Sequence, residues 1–166
     1  MTVALPREAL EALLRIARAG ADRLDATKFY RLFPDTTTVW PDGSVYHARD
    51  LYPRHLEHMA AGKRYRERLF MAANRVGKTI CGGYEVTCHV TGLYRPWWEG
   101  RVFQRPVRVW AAGKTNESTR DIVQKALLGD VTTIGGRKTF TGTGLIPRHR
   151  SDRRRGSRAS PISPTR

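Results

Sequence analysis

Acidic residues and cysteines are scarce in this 166-residue chain, and long apolar runs are absent. Only 15 Asp and Glu oppose 30 Lys and Arg, and the net charge of +15 favours a polyanionic partner. The two cysteines, Cys81 and Cys88, lie seven residues apart on one expected helix. That spacing, roughly 10 Å, is too long for a disulfide and favours reduced thiols. No apolar run reaches the roughly 20 residues that cross a membrane, and no signal-peptide pattern opens the chain. We therefore expect a soluble, intracellular protein with no membrane partner.

The basic charge is concentrated near the C-terminus. Residues 148–166 hold seven arginines and one acid, Asp152, so this segment carries +6 and leaves +9 for the rest. Its Ser, Pro, Gly and Arg composition predicts a disordered tail. We interpret the abrupt change after Pro147 as the mark of a truncated or frameshifted gene in a prophage remnant, and a genuine tail that binds phosphates is the alternative.

Periodicity and turn residues predict an α/β fold with a helical N-terminal lead-in. Two apolar segments are expected to be buried strands, each followed by a helix, and this alternation predicts parallel strands with flanking helices. The expected domains are a helical segment at 1–50, a layered domain at 51–147 and the basic tail at 148–166. The expected elements are helices at 6–20, 25–33 and 53–61, a turn at 40–43, strands at 68–73 and 106–112, and helices at 78–90 and 117–128.

The loop after the first expected strand has the residues of a phosphate site. Ala72-Ala73-Asn74-Arg75-Val76-Gly77-Lys78-Thr79 fits G-x-x-x-x-G-K-[ST], except that alanine replaces the first glycine. Backbone N–H groups at such a helix start point toward phosphates, and Gly77 permits a positive φ. Lys78 would contact the β- and γ-phosphates, and Thr79 would offer a hydroxyl to Mg²⁺. A chance G-K-T in a surface turn is the alternative. The loop predicts ATP and Mg²⁺ as cofactors, contacted by Ala73, Asn74, Arg75, Val76, Gly77, Lys78 and Thr79.

Two further features of the sequence have alternatives. Arg75 either senses the γ-phosphate, as arginine fingers do, or is a solvated loop arginine or a contact to a neighbouring subunit. A second G-K-T, Gly113 to Thr115, follows an expected strand too directly to leave room for a phosphate loop. We interpret it as a strand-end turn, with Asn116 or Ser118 as the cap of the next helix.

The segments 51–57 and 68–79 resemble the large terminase subunits of tailed bacteriophages, whose members often read A-N-R-x-G-K-T. The block 109–113 with 119–124 is similar to that family's second ATPase strand and the helix after it. The resemblance extends over approximately residues 45–147 and implies a partial P-loop NTPase fold. It also places His55 in a segment similar to one that contacts adenine, although many members have glutamine there. An ordinary polar residue on a helix face is the alternative for His55.

The family resemblance implies an ATP-driven motor that pumps double-stranded DNA into an empty capsid and cuts it with a metal-dependent nuclease. The implied partners are double-stranded DNA, the portal protein, the small terminase subunit and further copies in a ring. The implied location is the cytoplasm of a bacterial host, with a phage or prophage gene.

Hydrolysis in this class needs a Walker B acid after an apolar strand and a glutamate that orients water. The acids after Thr79 are isolated along the chain, none closes an apolar strand, and no carboxylate cluster suggests a nuclease site. The histidines and cysteines also lack metal-ligand spacing. We therefore expect an ATP-binding part of a terminase that does not hydrolyse ATP alone. The alternatives are a non-enzymatic basic nucleic-acid-binding protein with a vestigial P-loop, and an unrelated P-loop kinase or NTPase.

Overall fold

The computed structural model describes residues 27–147 except 106 and 135, together with the isolated residues 8, 11, 14 and 15. Those four isolated residues are helical, and the remainder of the helix expected at 6–20 lies outside the described residues. The basic tail at 148–166 also lies outside them. Contacts divide the chain into two compact units, Met1–Tyr52 and Pro53–Arg166, and each is described by itself. The predicted domain boundaries stay predictions.

The first unit contains a short helix and a two-stranded hairpin. Helix α1 covers Lys28–Arg31, and strands β1 (Thr38–Val39) and β2 (Val45–Tyr46) pair antiparallel. A 3₁₀ turn, Arg49–Leu51, follows. Gly43 N–H donates to Trp40 O at 2.9 Å, which confirms the turn expected at 40–43.

Helix α1 is shorter than the helix expected at 25–33. Leu32 is already extended and Phe33 has φ 55°, so the chain leaves the helix before Pro34. Proline disfavours helical geometry in the residue before it, which is a physical reason for the early end. Among the described residues of this unit, Phe29 and Phe33 are the buried apolar ones.

Three helices build most of the second unit. Helix α2 covers Pro53–Ala61 and helix α3 covers Lys78–Thr91, which ends at Gly92 in a left-handed conformation. These helices confirm the predicted ones at 53–61 and 78–90. Helix α4 consists of three consecutive segments, and its extent confirms the helix expected at 117–128. The segments are Asn116–Ser118, the π-helical Thr119–Gln124, and Lys125–Leu128.

The predicted parallel sheet is wrong, because every strand pair in the described part of the chain is antiparallel. In the second unit, β3 (Val131–Ile134) pairs with β4 (Arg137–Phe140) as a local hairpin. The Gly135-Gly136 pair between them is a hairpin turn signal that the sequence reading passed over. The structure is thus a mixed helix and strand fold with small antiparallel sheets.

The two segments expected to be parallel strands form no strand in the structure. No backbone–backbone hydrogen bond joins residues 67–73 or 107–112 to another described residue. A strand needs a neighbour to satisfy its N–H and C=O groups, and the nearest strands along the chain pair with each other instead. The apolar side chains of these segments consequently face solvent: Leu69 is 81% exposed, Met71 80% and Trp110 98%.

The core of the second unit surrounds the middle of α3. Cys81, Tyr84 and Cys88 on this helix are fully buried, together with Leu145. Leu145 N–H and Ile146 N–H donate to Ala126 O and Leu127 O at 2.9 and 2.8 Å, which fastens the segment after β4 to α4. This packing fixes α3, and therefore the loop that precedes it. None of the helices among the described residues has the length and apolarity that a membrane span requires.

Candidate functional site

The loop of residues 72–79 connects the segment 67–71, which has no regular secondary structure, to α3. It turns at Asn74–Gly77, and two of its residues are left-handed: Arg75 has φ 63° and Gly77 has φ 83°. Gly77 is the N-cap residue of α3, and its φ is one that glycine adopts without steric cost. The chain therefore reverses direction immediately before a 14-residue helix.

The N-terminus of α3 is open to an anion. Gly77 has no side chain to cap the first N–H groups, and the first turn contains no acidic residue. Unsatisfied N–H groups and the helix dipole give such an end a partial positive charge. Lys78 adds a full positive charge in the first turn. The arrangement can thus attract a phosphate or carboxylate group.

The Lys78 ammonium folds back over the loop. Its Nζ donates to Ala72 O at 2.7 Å and to Ala73 O at 2.5 Å. These bonds occupy two of the three hydrogens that an ammonium can donate. A bound phosphate would compete with the two carbonyls for the same ammonium.

The remaining residues of the expected site lie on the surface. Ala73, Asn74, Arg75 and Val76 are exposed, and so is Thr79 in the first turn of α3. Arg75 is exposed, and no salt bridge joins its guanidinium to another described residue. The structure therefore brings Lys78 against Ala73 and leaves the Thr79 hydroxyl accessible.

His55 lies on α2 and contacts the loop. Its Nε2 is 2.8 Å from Val76 O, and its ring meets the edge of Phe70 with centroids 5.2 Å apart. Phe70 also stacks on His58, one turn further along α2, at 4.6 Å. Burial and then the nearby Arg68 guanidinium lower the pKa of His58, so this ring is neutral near pH 7. The two histidines of α2 thus pack the helix against the segment that leads into the loop.

A largely buried ion pair joins α3 to Arg68, in the segment that leads into the loop. Arg68 Nη2 donates to Glu85 Oε1 at 2.7 Å, and Arg68 Nη1 donates to His58 O at 2.6 Å. His89 Nε2 lies 3.4 Å from the same Glu85 oxygen, and its Nδ1 is 3.1 Å from Tyr94 Oη. Sequence reasoning missed this network, although Glu85 and His89 are four residues apart on the helix that follows G-K-T. That i, i+4 spacing on the helix expected at 78–90 was the available signal.

The second G-K-T is a helix cap. Thr115 Oγ1 accepts from Ser118 N–H at 3.1 Å, and Ser118 Oγ accepts from Thr115 N–H at 3.0 Å. The cap is thus Thr115, not the expected Asn116 or Ser118. The reason is that Thr115 is the last extended residue, and the reciprocal bonds of a capping box need the residue three positions before Ser118.

Metal and thiol chemistry find little support in the described residues. No group of three or more His, Cys, Asp or Glu there is placed to hold a metal ion. Asp121 and Asp130 pair with Arg120 and Lys125 on the surface. Cys81 and Cys88 are free and buried, and burial raises both thiol pKa values, that of Cys81 to about 12. Both thiols therefore stay protonated and serve packing.

Part of the chain is similar to a curated phage protein. The chain is 36% identical over 92 aligned positions, 48% of its length, to a large terminase subunit of Salmonella phage P22. The aligned region spans only 18% of that phage protein. No family model matches the chain, and no solved structure matches it. The similarity therefore supports a terminase-related segment.

Proposed function

We propose that residues 51–147 are the ATP-binding part of a bacteriophage large terminase subunit, the motor that packages double-stranded viral DNA into procapsids. The observation that carries the proposal is the geometry of the 72–79 loop. Gly77 is left-handed and stands at the N-cap of α3 without a side-chain cap, and Lys78 is the first residue of that helix. The similarity to the phage P22 terminase supports the family half of the proposal. The aligned region is a small part of that phage protein. The packaging activity of a whole terminase is therefore a proposal for this chain.

The loop suits a triphosphate. Backbone N–H groups at the start of α3 would hold phosphate oxygens, and Lys78 would exchange its bonds to Ala72 O and Ala73 O for bonds to phosphate. Arg75 is exposed beside these groups and would add a second charge near the γ-phosphate. Ala73, Asn74 and Val76 would contribute backbone groups only.

Magnesium would have one protein ligand in this region, the Thr79 hydroxyl. The other oxygens would come from the triphosphate and from water, as is usual for Mg²⁺. No carboxylate cluster in the described residues adds to this set. We therefore propose binding of Mg-ATP with little turnover by this chain alone, because hydrolysis also needs an acid at the metal and a residue that orients water.

The partners in this proposal are double-stranded DNA, the portal protein, the small terminase subunit and further copies in a ring. The site of action is the cytoplasm of an infected or lysogenic bacterium. A second candidate function is a non-enzymatic nucleic-acid binder with a vestigial loop, and the observation that favours it is the net charge of +15.

Replacement of the lysine in each of the two G-K-T sequences tests the loop. Lys78→Ala removes the ammonium at the start of α3, and Lys114→Ala removes the lysine of the other G-K-T, which only leads into a helix cap. We expect Lys78→Ala to weaken Mg-ATP binding about 100-fold or more, because the variant loses the hydrogen bonds between the charged ammonium and the phosphates. We expect Lys114→Ala to bind as the parent chain does.

Isothermal titration of the full chain and both variants with Mg-ATP gives the answer, and phosphate release measures turnover. Equal binding by the parent and Lys78→Ala would refute the assignment of the loop. Loss of binding in both variants would show that charge in general, and not this loop, attracts the nucleotide.

A further inference from the structure

His55 reaches the loop from a different helix. Its Nε2 lies 2.8 Å from Val76 O, 21 residues further along the chain. A carbonyl oxygen only accepts, so Nε2 must carry the hydrogen of this bond. The bond therefore fixes the direction of the Val76 carbonyl.

The direction of that carbonyl also sets the direction of an N–H group. Val76 C=O and Gly77 N–H belong to one planar trans peptide, in which the two groups point to opposite sides. While His55 holds the carbonyl, Gly77 N–H is aimed away from α2. Gly77 is the N-cap residue of α3, so this N–H is among those that the helix start offers to an anion.

The loop needs such a restraint because its backbone is unfavourable by itself. Arg75 is left-handed at φ 63°, a conformation that is sterically unfavourable for a residue with a Cβ. The turn is exposed from Asn74 to Val76. A bond from outside the loop limits the alternative conformations that an exposed turn would otherwise sample.

Phe70 and Gly77 both lie against the imidazole ring of His55. Phe70, which precedes the loop, packs in a T-shaped arrangement with the His55 ring, with centroids 5.2 Å apart, and stacks on His58. The Cys81 thiol of α3 is 3.9 Å from His55 O, a weak contact that joins the two helices. A Cβ at residue 77 would lie 3.5 Å from Nε2, so the ring packs closely over this glycine.

From these contacts we infer that His55 is a positioning residue for the triphosphate and acts through the Val76–Gly77 peptide, rather than as a contact to the adenine base. The inference rests on the proposed phosphate-binding function of the loop. In this role His55 affects the affinity for every ligand that carries the phosphate chain, whether or not that ligand also carries a base.

Two ligands separate the two roles. Inorganic tripolyphosphate has the phosphate chain without a base, and Mg-ATP has both. We expect His55→Ala to weaken both by the same factor, about tenfold, as the loss of one hydrogen bond predicts. His55→Gln, whose Nε2 reaches about as far as that of histidine, should restore both affinities to within about threefold. His55→Asn, which is one methylene shorter, should not.

His58→Ala is the matched control, because it removes the other histidine that contacts Phe70 and leaves the bond to Val76 in place. Thermal melting of each variant shows whether it is folded, and the comparison of His55→Gln with His55→Asn remains informative if His55→Ala is not. The titrations use the full chain.

A loss confined to Mg-ATP, with tripolyphosphate binding unchanged, would overturn the inference in favour of an adenine contact. Equal behaviour of the Gln and Asn variants would overturn it as well. Failure of the proposed function looks different, since Lys78→Ala would then leave tripolyphosphate binding intact. Loss of binding in Lys78→Ala without loss in His55→Ala overturns the inference about His55 alone.

Discussion

Glu85 is a buried acid that its neighbours keep ionised. Only 6% of the residue is exposed, and burial by itself would raise its pKa. Hydrogen bonds from His89 and Arg68 outweigh burial and hold the pKa of this carboxyl below its ordinary value of 4.5. The ion pair joins α3 to the segment that leads into the 72–79 loop, so it connects stability to the geometry of the candidate site.

The lowered pKa predicts how stability changes with acid. The contribution of Glu85 is complete above pH 4.5 and is lost as the pH falls through the lower, folded-state pKa. Glu85→Gln keeps the shape but cannot ionise, so it should lower the free energy of unfolding at pH 7 by about 1.5–3 kcal/mol. Below pH 4.5 the difference between parent and variant should shrink. Urea unfolding at several pH values between 3 and 7 measures this.

Glu57→Gln provides the control for that experiment. Glu57 pairs with Arg54 on the exposed face of α2, where an ion pair contributes little. Its variant should track the parent at every pH to within about 0.5 kcal/mol. A difference for Glu85→Gln that stays constant from pH 7 to pH 3 would contradict the assignment of the acid dependence to this carboxyl.

Two adjacent glycines in α3 have different surroundings. A Cβ on Gly82 would meet no atom within 4 Å, whereas one on Gly83 would lie 2.7 Å from Leu145 Cδ1. Leu145 is fully buried, so its side chain has little room to retreat. Gly82 lines a cavity of about 320 Å³ between α3 and α4.

These surroundings predict opposite effects of the same substitution. Gly82→Ala should stabilise the chain by about 0.5–1 kcal/mol, since alanine is the better helix former. Gly83→Ala should destabilise it by about 1–3 kcal/mol, because the added methyl overpacks the contact with Leu145. Thermal or urea unfolding of the two variants side by side provides the measurement. Stabilisation by both would show that the segment after β4 does not press against α3.

Helices were predictable from this sequence because their signals are local. Pro53 marks the start of α2, and Gly92 marks the end of α3. The spacing of apolar residues within each helix can be recognised without knowledge of the rest of the fold. Strand pairing is not local. The run from Leu69 to Met71 is as apolar as a buried strand, yet it pairs with nothing among the described residues. Sequence identifies a segment able to be a strand but does not supply its neighbour.

The candidate site shows the same division. The G-K-T of residues 77–79 could be recognised from adjacent letters, and so could the requirement for a positive φ at Gly77. The contact of His55 with Val76 depends on how α2 packs across the chain, and no spacing rule predicts it. The Arg68–Glu85 pair is likewise formed by residues 17 apart on different elements.

At the scale of the whole molecule, charge separates the two candidate functions. Residues 148–166 carry +6 of the net +15, in a part of the chain that does not include the loop. Nucleotide binding at Lys78 and polyanion binding by the arginines should therefore be separable. A change at Lys78 should remove nucleotide binding alone, and a change to the arginines of residues 148–166 should weaken polyanion binding alone.

Salt dependence of DNA binding measures the contribution of the arginines. Each arginine that contacts a phosphate adds about 0.9 to the slope of log K against log salt. Removal of residues 148–166, or replacement of their seven arginines by glutamine at full length, should lower the magnitude of that slope by several units. Lys78→Ala should leave the slope within about one unit of the parent. Fluorescence anisotropy with a duplex oligonucleotide between 50 and 300 mM salt follows it, and an unchanged slope after loss of the seven arginines would place the DNA contact elsewhere on the chain.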